Sequence, residues 1–210
     1  MTGPSAGRRT RFAPAPTGYL HLGHVANAIH VWGMASQAAE KERIALLEEA
    51  VQLGADGVDV ELDTAAGLRK RLCRVIRKHG NHTALIISHH DFTGTPSGRV
   101  LQGFVRACIR ADADIVKIVT MARLPADNLN VLALIPYGRS KGREMIAFCM
   151  GEEGTISRIA APFLGAYLTF ASLKRGAESA PGQIAAAPMR RIFQLLTGEG
   201  RQAGRKGRGT

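Results

Sequence analysis

Ser88-His89-His90-Asp91-Phe92 and Ala113-Asp114-Ile115-Val116-Lys117-Ile118 are the stretches that decide the fold. Each belongs to a short run rich in β-branched residues, 83–89 and 115–120, and each run has the composition of a buried strand. Between them Val100, Leu101, Phe104, Val105, Cys108 and Ile109 recur at helical spacing. Strand, helix and strand in that order make a βα unit on a parallel sheet. The same stretches carry chemistry. A lysine inside an apolar strand is expensive to keep charged, because desolvation disfavours the ammonium. A neutral amine attacks ketones and aldehydes to form Schiff bases. A histidine one strand away titrates near neutrality and can move protons beside such an adduct. His90 and Lys117 therefore point to imine chemistry. A strand-end lysine snorkelling to solvent is the plainer alternative.

The alternation extends in both directions. Ile44, Leu47 and Val51 form a helical stripe before the strand 57–62. Leu68, Leu72, Val75 and Ile76 form another, ended by Gly80. Beyond residue 120, Asp127 is expected to cap a helix reaching Leu134. Residues 144–150 are a fourth strand and 167–171 a fifth. Strands every 25–30 residues, with helices between them, suit a (βα)8 TIM-barrel type with its chemistry at the strand C-terminal ends; the periodicity alone also admits a doubly wound sheet. The first 36 residues differ, with a short strand at 10–18 and an apolar helix from His21 to about Ala38. The polar junction near 36–41 divides the chain into 1–40, a main unit 41–197 and a disordered Gly/Arg-rich tail 198–210.

The net charge of +11 invites a nucleic-acid reading. The excess lies at the two ends and on one helix (Arg69, Lys70, Arg71, Arg74, Arg77, Lys78), with no aromatics interleaved to stack bases. A solvated helix face and a basic tail account for it better than nucleic acid. Cys73, Cys108 and Cys149 form no CxxC or Cys/His cluster, which favours small buried hydrophobes over disulfides or zinc ligands and suits a reducing compartment. No apolar run approaches the roughly 20 residues of a membrane span, and no apolar stretch of signal-peptide type follows Arg8 and Arg9. The expected location is cytoplasmic.

Residues 43–195 resemble type I 3-dehydroquinate dehydratase. The matching motifs are Val58-Asp59-Val60-Glu61-Leu62, Ser88-His89-His90-Asp91-Phe92 with Thr95-Pro96-Ser97, and Asp114-Ile115-Val116-Lys117-Ile118. Met150-Gly151 with Gly154, Ser157-Arg158 and Ser179-Ala180-Pro181-Gly182-Gln183-Ile184 follow in order. The resemblance implies a (βα)8 barrel in which Lys117 forms an imine with the C3 ketone of 3-dehydroquinate. It implies that His90 removes a proton from C2 and then assists departure of the hydroxyl as water. Arg158 would hold the substrate carboxylate, for which a planar guanidinium is suited, although a cap or surface pair is its plainer reading. Ser179 and Gln183 would hydrogen-bond the substrate. No metal or organic cofactor is implied. His89, adjacent to His90, faces the other side of the strand. Asp59 and Glu61 are assigned to a polar network at the barrel mouth, with no catalytic role.

Family members carry three further N-terminal βα units, two of which supply substrate-binding residues in a Glu-x-Arg element and a strand ending in arginine. Residues 1–42 match neither, so the expectation is an incomplete barrel of about five family strands with impaired turnover, prone to dimerise through its open edge. In place of those units, residues 10–36 resemble the start of glutamyl-tRNA synthetases. Phe12-Ala13-Pro14-Ala15-Pro16-Thr17-Gly18 and His21-Leu22-Gly23-His24 match the ATP-contacting signature, where a helix N-terminus faces phosphates. The other elements of a synthetase site do not follow. This segment is expected to dock as one βα unit, and a noncatalytic or tRNA-associated chimera is the alternative function.

Overall fold

A computed structural model describes residues 10–11, 19–20, 40–79 and 83–198. Two short strands, β1 (Thr10–Arg11) and β2 (Tyr19–Leu20), pair antiparallel with each other. Among the described residues they form a sheet of their own; the rest of the synthetase-like segment, and with it the expected βα unit, lies outside the described residues. The helix expected from His21 to Ala38, Gly80 and the tail beyond Gly198 lie outside the described residues.

The main unit follows the expected alternation. Helix α1 (Glu40–Gln52) leads to β3 (Gly57–Glu61), α2 (Ala66–Lys78) to β4 (Ala84–Asp91), and α3 (Gly98–Arg110) to β5 (Ile115–Met121). Two short helices, α4 (Asp127–Leu132) and α5 (Leu134–Ser140), precede β6 (Glu144–Met150). Helix α6 (Thr155–Phe163) follows it, and α7 (Ala186–Thr197) ends the described chain. Asp127 opens α4 rather than capping it: its carboxylate turns back to accept the backbone N–H groups of Arg123 and Leu124.

Strands β3, β4, β5 and β6 form one parallel sheet in that order. Consecutive parallel neighbours with no reversal of order describe a barrel wall, whereas a doubly wound sheet reverses at a switch point. The packing agrees. Val58, Val60, Leu85, Ile87, Val116, Ile118, Met145, Ala147 and Cys149 face the helices and pack with Ile44, Leu72, Leu101, Val105, Ile135 and Ala161. The alternate residues Ile115, Val119, Ile146, Phe148 and Met150 form a second cluster that contains no helix residue. Because successive strand side chains point to opposite faces, one sheet has a helix-covered outside and an inside free for function. Truncating a fully buried residue of the outer cluster, such as Leu101, removes contacts worth about 2–5 kcal/mol.

The fifth expected strand does not form. Tyr167 donates its backbone N–H to Met145 at 2.7 Å, but no ladder follows. Tyr167, Leu168 and Phe170 pack onto the inner cluster instead, and Thr169 Oγ1 donates to the carbonyl of Arg158 at 2.8 Å. Side-chain burial and this hydrogen bond hold the segment where sequence composition suggested a strand ladder.

Candidate active site

The inner face carries polar groups in register. Glu61 on β3 pairs with Ser88 on β4, and Ser88 with Lys117 on β5. Asp59 lies two residues before Glu61 on the same face, and His90 two residues beyond Ser88. Lys117 is the third residue of β5, so it sits inside the strand rather than at its end. Its side chain is only 12% exposed, which excludes the snorkelling alternative.

Two carboxylates from β3 meet these two groups. Lys117 Nζ donates to Asp59 Oδ2 at 2.7 Å. His90 Nδ1 donates to Glu61 Oε1. That bond places the ring proton of neutral His90 on Nδ1 and leaves Nε2 able to accept a proton. Phe92 stacks beside His90 with ring centroids 5.9 Å apart. His89 points to the helices and stacks on Phe104 of α3 at 3.7 Å; burial lowers its pKa and keeps it neutral. The sequence argument for a lone, desolvated amine omitted a partner: Lys117 has the Asp59 carboxylate against it.

Arg158 reaches the same interior from the first turns of α6. It is 1% exposed, and its Nε and Nη1 have no hydrogen-bond partner. Nη2 donates to the carbonyl of Pro181 at 3.3 Å, and the guanidinium lies 4.4 Å from the centre of the Phe148 ring. Phe148 packs on Phe170 at 5.6 Å, and Phe170 in turn lies 5.3 Å from Lys117 Nζ. An aromatic wall therefore runs between the lysine and the arginine. Burial pushes the Arg158 pKa down to about 10, so it stays charged at neutral pH. A buried guanidinium with two unpartnered nitrogens and, among the described residues, no carboxylate paired with it is poised for an anion. The cap or surface pair of the plainer reading is not what the structure shows.

Ser179 and Gln183 sit in the loop between Ser172 and Ala185, bridged to each other. Ser179 N–H donates to Gln183 Oε1 at 2.9 Å, and Gln183 Nε2 donates to Ser179 Oγ at 3.0 Å. The loop is held to the turn after β6 by the Gly151 N–H, which donates to the Pro181 carbonyl at 3.2 Å, and to the start of α6 by Thr155 Oγ1, which donates to the Gly182 carbonyl at 3.3 Å. Gly182 has φ +77°, and a Cβ there would stand 2.1 Å from the Gly151 carbonyl oxygen. Only glycine fits both the left-handed backbone and that close approach. Gly182→Ala is expected to free the loop at a cost of about 1–3 kcal/mol in local stability. Limited trypsin digestion measures this: cleavage at exposed Lys174 and Arg175 should accelerate by about 5- to 150-fold, in line with that energy.

A lysine on one strand, a carboxylate-oriented histidine on the next and a buried arginine across an aromatic wall share the inner side of a parallel barrel sheet. The family model of type I 3-dehydroquinase matches residues 31–199. The chain belongs to that family. The type I 3-dehydroquinase match begins twelve residues before the motif-based span of 43. A second family model, tRNA synthetases class I (E and Q), catalytic domain, matches residues 8–41.

Among similar proteins, the 3-dehydroquinate dehydratase of Desulfotalea psychrophila is 40% identical over 154 residues, covering 73% of this chain and 67% of the relative. That of Syntrophobacter fumaroxidans is 37% identical over 165 residues, covering 76% and 66%. The type I 3-dehydroquinate dehydratase structure from Clostridium difficile has a TM-score of 0.68 at 27% identity, covering 77% of this chain and 63% of that one. The Geobacillus kaustophilus 3-dehydroquinate dehydratase has a TM-score of 0.67 at 32% identity, covering 77% and 62%. The chain spans about two thirds of the length of these type I 3-dehydroquinase relatives.

Within this family fold, the sequence reading placed Asp59 and Glu61 in a polar network at the barrel mouth without identifying them as the direct partners of Lys117 and His90. The available signal was two carboxylates separated by one residue on a single strand. Alternation puts both on one face, and an inner barrel face is a costly place for unpaired charge.

Proposed function

We propose that this chain dehydrates 3-dehydroquinate to 3-dehydroshikimate through a Schiff base on Lys117. The observation that carries this reading is the pairing of a strand-interior lysine with an adjacent His90–Glu61 couple on one inner face. Lys117 condenses with the C3 ketone, and the resulting iminium acts as an electron sink that acidifies C2. His90 Nε2 removes the C2 proton, with Glu61 stabilising the imidazolium that forms. The same imidazolium then returns its proton to the departing hydroxyl. Arg158 holds the substrate carboxylate through its two unpartnered nitrogens, and Ser179 and Gln183 exchange their mutual bonds for bonds to substrate hydroxyls. No organic cofactor or metal enters this sequence.

Turnover by the isolated chain is proposed to be slow. The described strands of the main sheet carry no arginine, so neither the Glu-x-Arg element nor the arginine-ended strand of the family is among them. Each missing charged hydrogen bond is worth about 1.5–3 kcal/mol, and two or three together lower efficiency by roughly three to six orders of magnitude. Self-association belongs to the same proposal, because β3 has a ladder on one side only among the described residues; size-exclusion chromatography tests it. No described helix is long and apolar enough to cross a membrane, and a cytoplasmic location remains part of the proposal.

Incubation with 3-dehydroquinate and borohydride, followed by mass spectrometry, tests the reading. A reduced substrate adduct on Lys117 is expected; an unmodified Lys117 overturns the assignment. The synthetase-model match at residues 8–41 favours a second reading, a noncatalytic or tRNA-associated chimera. ATP–pyrophosphate exchange dependent on glutamate would support that reading and count against the dehydratase.

A further inference from the structure

Helix α6 carries Arg158 into the interior, and it holds a proline where the backbone of that residue needs a partner. In an α-helix the carbonyl of residue 158 accepts the N–H of residue 162. Pro162 has no N–H, and its ring crowds the carbonyl four residues earlier. The Arg158 carbonyl accepts a bond from Thr169 Oγ1 at 2.8 Å, with Thr169 only 3% exposed. The segment after the helix thus supplies the donor that the helix lacks. Leu168 and Phe170, on either side of Thr169, pack on the inner cluster, and Phe170 contacts the Phe148 ring over which the guanidinium lies. Ser157 ties the same turn to β6: its Oγ accepts the Cys149 N–H at 2.8 Å and donates to the Gly154 carbonyl at 2.6 Å. The guanidinium itself donates to the Pro181 carbonyl at 3.3 Å and leaves Nε and Nη1 unpartnered among the described residues. Its direction is set by backbone anchorage and the ring beside it more than by its own polar contacts.

We propose that Thr169 is the positioning residue of the anion site: its hydroxyl stands in for the N–H that Pro162 lacks and fixes the direction in which Arg158 enters the barrel. The inference rests on the reading of Arg158 as the group that holds the substrate carboxylate. Without the hydroxyl, a buried carbonyl loses its donor and must turn toward another. Carbonyl and side chain share one Cα, so that turn swings the guanidinium away from the place where its two free nitrogens meet a carboxylate. A two-pronged contact is sensitive to the swing, because both N–H groups must lie in one plane with the acceptor.

Thr169→Val keeps the shape of the side chain and removes the donor, Thr169→Ser keeps the donor, and Pro162→Ala returns the helical N–H. Two readouts are taken in the full chain. The first is borohydride trapping at Lys117, followed against concentration for 3-dehydroquinate, which carries a carboxylate, and for glycolaldehyde, which carries none. Thr169→Val is expected to raise the half-saturating concentration of 3-dehydroquinate about tenfold, the weight of one weakened charged hydrogen bond. Trapping by glycolaldehyde should stay within about twofold of the parent, since no carboxylate is being held. Thr169→Ser should behave as the parent, and adding Pro162→Ala to Thr169→Val should recover most of the loss. An equal change with both probes, or no recovery on adding Pro162→Ala, overturns the inference. If Arg158→Met leaves the 3-dehydroquinate dependence unchanged, the carboxylate reading of Arg158 falls and takes the inference with it. The second readout needs no substrate: the Arg158 Nε–H proton resonance in isotope-labelled protein, displaced by the ring current of Phe148. Thr169→Val is expected to move it toward the resonance of a free arginine, and Pro162→Ala to move it back; an unmoved resonance overturns the inference. If the parent chain forms no adduct with 3-dehydroquinate, the Schiff-base reading falls, and this resonance still decides whether Thr169 positions Arg158. Should Thr169→Val lose its circular-dichroism spectrum, Thr169→Ala, which also lacks the hydroxyl and adds no bulk, takes its place in the same comparisons.

Discussion

Lys117→Ala abolishes the reducible adduct entirely and removes whatever dehydration the parent chain performs. The expected loss is all-or-none in mass spectrometry and about 10⁴-fold or more in rate, the scale on which covalent nucleophiles fail when deleted. The reason lies in the position of the residue. Lys117 is the third residue of a seven-residue strand, enclosed by Asp59 and the Phe170 ring, and the described strands of the main sheet contain no other lysine to take its place. The fold is expected to survive the substitution, because the outer cluster that holds the sheet to its helices does not include Lys117. Removing the amine leaves the Asp59 carboxylate without its partner, which costs stability locally. Circular dichroism of the variant should match the parent. Adduct formation at another lysine, with enone absorbance still developing, would show that the chemistry does not run through β5.

Arg158→Met is expected to raise thermal stability while removing substrate binding. Burial has pushed the Arg158 pKa well below the ordinary arginine range, to about 10, which corresponds to about 3 kcal/mol of unfavourable burial of the charged form. The sign follows from proton binding. Below pH 10 the guanidinium is charged in both folded and unfolded chain, so the penalty is fully present; it is relieved only as pH rises through about 10 towards the ordinary arginine range. The Pro181 hydrogen bond and the contact with Phe148 offset part of this penalty. Methionine fills a similar volume without charge, so a net gain of about 1–2 kcal/mol and a Tm rise of about 2–8 °C are expected. Efficiency moves the other way. Loss of a two-pronged carboxylate contact, at about 1.5–3 kcal/mol per charged hydrogen bond, lowers kcat/KM or the trapping efficiency by about 10²–10⁴-fold. Differential scanning calorimetry paired with the trapping assay measures both. A variant that loses stability and keeps substrate affinity would mean that Arg158 is a structural residue.

Much of this architecture was legible in the chain itself. Helical stripes such as Leu101–Val105–Cys108 and the β-branched runs 115–120 and 144–150 settle element type, because each element must hide one face and the spacing of its apolar residues records which. The motif order also located His90, Lys117 and Arg158. Three things depended on the folded molecule. Strand register, which brings Asp59 to Lys117 across 58 residues of sequence, arises from pairing along two ladders, and local composition does not encode it. The segment 167–171 has the composition of a strand, yet its partners are the inner cluster and the Arg158 carbonyl. Whether an apolar run joins a ladder depends on what its neighbours leave unpaired. The depth of Arg158, and hence its readiness for an anion, comes from packing of α6 and the 172–185 loop around it. Sequence alone determined the alternation of elements and the identity of the reactive groups, since both follow from local periodicity and residue chemistry. Only tertiary structure decided which carboxylate serves which of those groups, because that is a matter of distances between strands.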